Sequence, residues 1–315
     1  VNNSPPADIP IVVTGANGFL GRVVVSRLKE RGYQNVVPAL HSEYDLVRPS
    51  DVERLYTTLK PRILIQLAAI VGGIEANSKH PGSFFYQNLM MGVNMVEAAR
   101  LFGLDKFVQI GTACSYPKFT PVPFKEDEVW NGYPEETNAP YGLAKRALLV
   151  QAQAYREQYG LNIIYLIPGN LYGPGDNFNP ASSHVIPALI KKFCEAKDTN
   201  APSVEVWGTG KASREFLYVA DAAEGIILAT ENYDSGDPVN LGSGNEISIA
   251  DLVELIRAEV GYEGEVIWNS SKPDGQPRRA LDTSRAEKYF GFKAKTRFAE
   301  GLRNTIDWYR STLVG

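Results

Sequence analysis

An α/β fold built on a parallel, doubly wound sheet with a smaller C-terminal lobe is predicted by three observations. Short β-branched strands alternate with helical stretches from Ile9 to Ile167. Glycines recur three apart at the first strand-to-helix turn, as Gly15, Gly18 and Gly21. After Gly173 the alternation weakens, and Pro174 to Pro180 is rich in Gly, Pro and Asn. Alternating strands and helices imply parallel strands joined by crossovers, and such sheets bind ligands beyond the strands' carboxyl ends.

The elements follow in order. Ile9 to Thr14 reads as a buried strand, and the helix from Phe19 to Arg31 begins inside the glycine turn. Asn35 to Leu40 is a second strand, Ser50 to Leu59 a helix, and Arg62 to Ala68 a third strand. Pro81 to Phe102 is mostly helix, Lys106 to Ile110 a fourth strand, Asn138 to Tyr159 a long helix and Asn162 to Ile167 a further strand. Beyond the break come a helix from His184 to Ala196 and a strand from Val204 to Trp207. Helix Ala220 to Glu231 and strand Pro238 to Leu241 return to the first domain, and Ile249 to Val260 and Gly301 to Tyr309 are helices. The expected boundaries are a flexible tail at 1–8, a Rossmann-type domain at 9–173 completed by 213–242, and a substrate lobe at 174–212 and 243–315.

Composition limits the partners. A formal net charge of -4 over 315 residues gives no basic signature for nucleic acid or anionic membrane. No apolar run approaches the roughly 20 residues of a membrane helix. Residues Val1 to Pro10 lack the apolar centre of a signal peptide. Two cysteines, Cys114 and Cys194, suggest reduced thiols and a cytosolic protein, and three histidines with two separated cysteines give no metal pattern.

The chemistry concentrates between Gly111 and Lys145. Tyr141 and Lys145, four apart, share one helix face, where an ammonium lowers a phenol's pKa and fits it for proton transfer. Thr112 and Cys114 follow the fourth strand, and Gly15, Ala68, Thr112 and Pro168 all fall at carboxyl ends of strands. The glycine spacing lets backbone approach a pyrophosphate, with the free N–H groups of the next helix as donors. Bland readings exist beside these: a packed thiol for Cys114, a helix cap for His184, and solvated charges for Lys192 and Lys272.

The combination of Thr14-Gly15-x-x-Gly18-x-x-Gly21, Thr112 and Tyr141-x-x-x-Lys145 resembles the extended short-chain dehydrogenase/reductase superfamily. The phrases Gly72-Gly73-Ile74, Thr112 to Pro117, Asn170 to Pro174, Ser183 to Pro187, Val206 to Gly208 and Lys272 to Gly275 resemble, within it, the GDP-L-fucose synthase family. That resemblance implies reduction of a 4-keto sugar, with Tyr141 as proton donor assisted by Lys145 and Thr112. The family often has Ser at Thr112, and the hydroxyl is what the role needs. It also implies inversion at carbons 3 and 5, with Cys114 as base and His184 as acid. The implied substrate is GDP-4-keto-6-deoxy-D-mannose, contacted by Asn170, Lys192, Trp207, Arg214 and Lys272. Cys194 matches no motif and is expected to pack inside its helix.

The implied cofactor is NADPH rather than NADH. Its expected contacts are Gly15, Asn17, Gly18, Phe19, Leu20, Gly21, His41, Ala68, Ala69, Tyr141, Lys145, Pro168, Asn170, Leu171 and His184. After the second strand stands Pro38-Ala39-Leu40-His41-Ser42, with neither an acidic residue for a ribose nor an arginine clamp for a 2'-phosphate, leaving His41, Ser42 and Arg22 as candidates. A homodimer through helices Pro81 to Phe102 and Asn138 to Tyr159 is implied, with Leu148, Leu149 and Ala152 as an apolar stripe or as core. The alternatives are a colitose synthase inverting only carbon 5, a nucleotide-sugar 4-epimerase, and a non-catalytic NADP sensor.

Overall fold

Parallel pairing organises the first half of the chain in this computed structural model, which describes residues 5–272 and 274–313. In chain order come β1 (Ile11–Thr14), α1 (Phe19–Glu30), β2 (Val36–Ala39), α2 (Pro49–Leu59), β3 (Ile63–Gln66) and α3 (Ile74–Lys79). Then follow α4 (Pro81–Phe102), β4 (Lys106–Ile110), α5 (Ala139–Tyr159) and β5 (Ile163–Pro168). The sheet runs β2-β1-β3-β4-β5 and ends on β9 (Pro238–Leu241), every pair parallel. The predicted α/β class with a Rossmann-type sheet is therefore observed. The order reverses between β1 and β3, which opens the ligand crevice beside Gly15 and Ala68.

Strand residues bury both faces. Val12, Leu64 and Phe107 join the core under α2, α4 and α5, while Ile11, Val13, Ile65 and Val108 join the core under α1 and the later helix Val219–Asn232. Continuous burial of β1, β3, β4 and β5 explains their near-unbroken apolar sequences. Helices α4 and α5 approach closely because Gly92 leaves room for the Leu148 side chain. Leu148, Leu149 and Ala152 are 1–3% exposed and belong to that core, so they form no outward stripe.

The chain leaves the sheet at Gly169. β6 (Asn170–Tyr172) is followed by α6 (Val185–Asp198), β7 (Ser203–Trp207), β8 (Ser213–Tyr218), α7 (Val219–Asn232) and β9. β10 (Glu246–Ser248), α8 (Ile249–Val260), β11 (Glu265–Asn269), β12 (Arg278–Arg279), α9 (Ser284–Phe290) and α10 (Phe298–Leu313) complete it. A second sheet is ordered β10-β8-β12, with β6 also on β8, and β11 pairs β7. Thus β8, which the sequence assigns to the segment completing the first domain, belongs by its backbone pairing to the second sheet. Conversely Ala286, Phe290 and Phe292, near the C-terminus, pack into the first core.

Two ends also differ from expectation. β1 starts at Ile11 because Pro10 has no N–H to give; its carbonyl accepts from Arg62 and Ile63 instead. Residues 1–4 of the expected tail lie outside the described residues. The Pro6 and Ala7 carbonyls accept from Ile9 and Gln34 N–H groups, which ties residues 6–7 to the fold. Among the described residues no helix is long and apolar enough to cross a membrane.

Candidate active site

The glycine turn is built by steric exclusion. Gly15 has φ +64, and a Cβ there would lie 2.8 Å from the Ala68 nitrogen, so β1 and β3 touch at the crevice floor only if residue 15 is glycine. Thr14 closes that floor, its hydroxyl donating to the Gln66 side chain at 2.8 Å and accepting from Ala68 N–H at 3.2 Å. A Cβ on Gly21 would collide with the Gly15 carbonyl, which brings the start of α1 against the turn. Gly18 heads α1 with no side-chain cap and no acidic residue in the first turn. Those N–H groups and the helix dipole suit a phosphate.

Other expected cofactor residues fall around the same edge. Asn17 is exposed in the turn, with Phe19 and Leu20 half-buried beside it, and Ala68 and Ala69 follow β3. His41 and Ser42 are exposed beyond β2. Arg22 does not join them: its guanidinium donates to the Gly175 carbonyl at 3.1 Å, tying α1 to the loop after β6. Pro168 ends β5, Leu171 is half-buried in β6, and the Asn170 amide donates to the Glu215 carbonyl at 2.9 Å, joining β6 to β8.

Beyond β4 the chain turns sharply. The Thr112 hydroxyl accepts from the Cys114 N–H at 3.2 Å and caps a single 3-10 turn, Ala113–Ser115. The first turn of α5 lies across it: Ser115 donates to the Gly142 carbonyl at 3.1 Å, and Arg146 donates to the Ser115 carbonyl. A side chain on Gly142 would collide with the Cys114 carbonyl, so glycine there fixes the distance between Tyr141 and the Cys114 loop. The Thr112 hydroxyl lies close enough to the Tyr141 phenol to lower its pKa.

The electrostatics of this pair reverse one expectation. Burial is the largest influence on Tyr141; with the nearby Cys114 it raises the phenol above its ordinary value, against a lowering by the Thr112 hydroxyl. Lys145 is 3% exposed, donates to the Ile110 carbonyl at 3.0 Å, and is pushed down to about 8 by burial. Desolvation thus outweighs the expected lowering of Tyr141 by Lys145 in the cofactor-free site.

The thiol of Cys114 and the imidazole of His184 share Arg279 as a neighbour. Cys114 is half-buried and accepts from the Arg279 guanidinium at 3.5 Å. His184 heads α6 in extended conformation with no side-chain cap, so its imidazole is not spent on the helix. The carbonyls of Ser182 and Ser183, just before it, meet the Gly73-centred loop, with Gly73 N–H donating to Ser182 at 3.2 Å. His184 is exposed; the protein packed around its imidazole, then the charge of Arg279, lowers its pKa from about 6.5. Cys194 is buried in the lobe core as expected, and burial raises its thiol pKa.

The remaining residues line the lobe side. Trp207 is 46% exposed, with the Lys272 ammonium 4.8 Å and the Lys192 ammonium 5.8 Å from its ring centroid. Lys192 also donates to the Glu205 carbonyl at 3.0 Å. Arg214 donates to the Ser213 and Asp274 carbonyls, and burial with Arg279 nearby pushes it down to about 10. Asp274 itself accepts from the Thr209 N–H and hydroxyl. Pro273 of the Lys272 phrase lies outside the described residues. Sequence reasoning missed Arg279 and Gln276. The Arg278-Arg279 doublet says only that one of the two turns inward, since adjacent strand residues face opposite ways, and not what that residue meets; Gln276 carries no signal.

These groups are chemically capable of several tasks: the glycine turn can take a phosphate, the hydroxyl, phenol and ammonium can assist a carbonyl reduction, the thiol and imidazole can transfer protons, and the lobe cations can pair with a diphosphate. Residues 11–242 match the sequence profile of the NAD dependent epimerase/dehydratase family. The chain belongs to that family. Among epimerase/dehydratase relatives, a probable GDP-L-fucose synthase 1 of Oryza sativa subsp. japonica is 44% identical over 96% of this chain and 93% of its own. GDP-L-fucose synthase of Escherichia coli strain K12 is 37% identical over 95% and 96%. A solved GDP-L-fucose synthetase from Naegleria fowleri bound to NADP superposes with a TM-score of 0.91, at 28% identity, over 99% of this chain and 95% of that one.

Proposed function

We propose that this protein converts GDP-4-keto-6-deoxy-D-mannose to GDP-L-fucose, inverting carbons 3 and 5 and then reducing carbon 4. The observation that carries this reading is Thr112 between two chemistries, its hydroxyl beside the Tyr141 phenol and accepting from the Cys114 N–H of the same turn. The relatives named above support the nucleotide and sugar class.

A 4-keto group acidifies the hydrogens on carbons 3 and 5, because the electron pair left behind delocalises into an enolate. The Cys114 thiolate takes the proton, the pair moves toward the carbon 4 oxygen, and His184 returns a proton to the opposite face. Thr112 donates to the carbonyl oxygen and steadies the charge that develops there. A lowered His184 pKa makes its protonated form the stronger acid. NADPH supplies the hydride for carbon 4. Tyr141 gives its proton to the carbon 4 oxygen, and its raised pKa keeps that proton in place at neutral pH until the oxygen needs it. Lys145 holds the nicotinamide ribose.

The cofactor's pyrophosphate belongs at the Gly15, Gly18 and Gly21 turn, with Asn17, Phe19, Leu20, His41, Ala68, Ala69, Pro168 and Leu171 around it. The sugar nucleotide belongs to the lobe at 174–212 and 243–315 together with β8: Lys192, Arg214 and Lys272 meet the diphosphate, and Trp207 offers a face to the base, with Asn170 between the two ligands. A cytosolic homodimer completes the reading. It is supported by the unpaired thiols Cys114 and Cys194, and by Phe85 and Tyr86 of α4 and Val150 of α5, all at least 40% exposed. Light scattering showing a monomer at working concentration refutes the dimer.

The test is product analysis with the keto sugar and limiting NADPH or NADH. GDP-L-fucose formed faster with NADPH supports the reading. Turnover confined to the keto sugar lacking the carbon 3 hydroxyl replaces it with a colitose synthase, and a clear NADH preference defeats the cofactor assignment.

A further inference from the structure

The thiol of Cys114 has a cationic neighbour that no role above uses. β12 pairs in parallel with β8 so that Arg279 stands opposite Arg214. Arg278 faces outward to Glu246, while Arg279 is only 9% exposed and turns into the site. Its Nη1 donates to the Cys114 Sγ at 3.5 Å, and its Nε donates to the Gln276 Oε1 at 3.0 Å. The Gln276 amide reaches back to the Pro117 and Lys118 carbonyls at 3.3 and 2.9 Å, on the same loop that carries Cys114. On the other side, the Ala280 carbonyl accepts from Phe124, and Leu281 N–H donates to the buried Glu215 carboxylate at 2.6 Å. The guanidinium is therefore clamped from both ends of a short strap.

Its charge is not answered by a carboxylate among these partners, Gln276 and Cys114. Arg214, beside it, hydrogen-bonds two backbone carbonyls. Like charges opposite one another on neighbouring strands repel, and partial burial sharpens the repulsion unless an anion enters. Two anions fit: the diphosphate of the sugar nucleotide for Arg214, and the sulfur for Arg279. The charged and titratable groups around that sulfur are Arg279 from β12, Arg214 from β8 and Tyr141 from α5, with His184 beyond Arg279 and the carboxylates Asp274 and Glu135 beyond Arg214.

We propose that Arg279 is the counter-ion of the Cys114 thiolate, a positioning residue that holds the sulfur anionic and aimed into the cleft. Its consequence for turnover rests on the epimerase reading. In each inversion the sulfur gains the substrate proton and His184 loses one, so no net charge is consumed. The pair resets by exchanging protons with water, and Arg279 favours the reset on the sulfur side. The same guanidinium disfavours a second positive charge on His184, which sharpens the imidazolium as a proton donor.

Iodoacetamide alkylation of the full chain, without sugar or cofactor, reads this directly, because only the thiolate displaces iodide. The rate at Cys114 is followed against pH by peptide mass spectrometry, with buried Cys194 as the slow internal reference. Arg279→Gln is expected to move the profile upward by about one pH unit, slowing alkylation at pH 7 about tenfold. Arg279→Lys, which keeps the charge, is expected to restore most of the rate. Gln276→Glu, which sets a carboxylate against Arg279 without removing it, is expected to shift the profile in the same direction and serves if Arg279→Gln fails to fold. A profile unmoved in folded Arg279→Gln or Gln276→Glu overturns the proposal. Deuterium exchange into the keto sugar separates the two readings. If Cys114→Ser abolishes exchange while the alkylation profile ignores Arg279, the counter-ion is wrong and the epimerase stands. If the profile follows Arg279 while Cys114→Ser leaves exchange intact, the counter-ion stands and the base does not.

Discussion

The central sheet and the lobe position their functional groups by different means. At the sheet edge, backbone does the positioning: Gly15, Gly21 and Gly142 are places where a side chain would collide with a neighbouring strand, turn or loop. In the lobe, side chains do it: Trp207 is contacted by two ammonium groups, and Arg279 is held by Gln276 and Cys114. Backbone positioning tolerates almost no change of residue type, whereas side-chain positioning fails gradually, one contact at a time. Tyr141 stands where the two meet, on a helix set by glycine and facing a cleft set by side chains.

Replacing Tyr141 by Phe is expected to have the largest effect. Losing the proton donor should lower the rate of reduction by about 10²- to 10⁴-fold. Exchange at carbons 3 and 5 should persist, read by deuterium incorporation in the unreduced sugar. Loss of both together would place Tyr141 in the inversion as well and blur the division.

Lys145→Met separates stability from activity on the sheet side. Because burial lowers the folded pKa of Lys145 to about 8, below its ordinary 10.5, the unfolded chain binds one more proton between those values. Stability contributed through this group therefore falls as pH drops from about 10.5 to 8 and is level below that. The cost at pH 7 is about 3 kcal/mol, partly offset by the hydrogen bond to Ile110. The cofactor-free variant should melt several degrees higher at pH 7 while losing reduction, and the gain should shrink by pH 10. A lower melting temperature at pH 7 would mean that the Ile110 bond outweighs desolvation.

Gly142→Ala should destabilise the fold by about 1–3 kcal/mol, because the new methyl displaces the Cys114 loop. Calorimetry that finds no change would show the loop to be more yielding than backbone positioning requires. Trp207→Ala is the smallest change. The ring is half-exposed, so the melting temperature should move little, while GDP affinity measured by titration calorimetry should weaken about tenfold, the order of one stacking contact.

What was legible in the sequence follows the same division. The strands of the central sheet are buried on both faces and show continuous apolar runs, so β1 to β5 and β9 were placed within one or two residues. The lobe strands β6, β10 and β12 have two or three residues each and show no period at all. β8 falls in the segment expected to complete the first domain yet pairs within the second sheet, since an apolar run does not reveal its partners. Tyr141, Lys145 and Thr112 could be found because helix spacing and strand ends are local signals. Arg279 could not, because its meeting with Cys114 spans 165 positions and depends on the register of β12 against β8. The sign of the Tyr141 shift was also hidden, since burial is not written in a Tyr-x-x-x-Lys spacing.

The central claim is that one loop serves two proton transfers and one reduction. Incubating the protein with GDP-4-keto-6-deoxy-D-mannose and NADPH in deuterated water tests it most directly. The expected result is GDP-L-fucose carrying solvent deuterium at carbons 3 and 5; a reduced product with no deuterium at either carbon would contradict it.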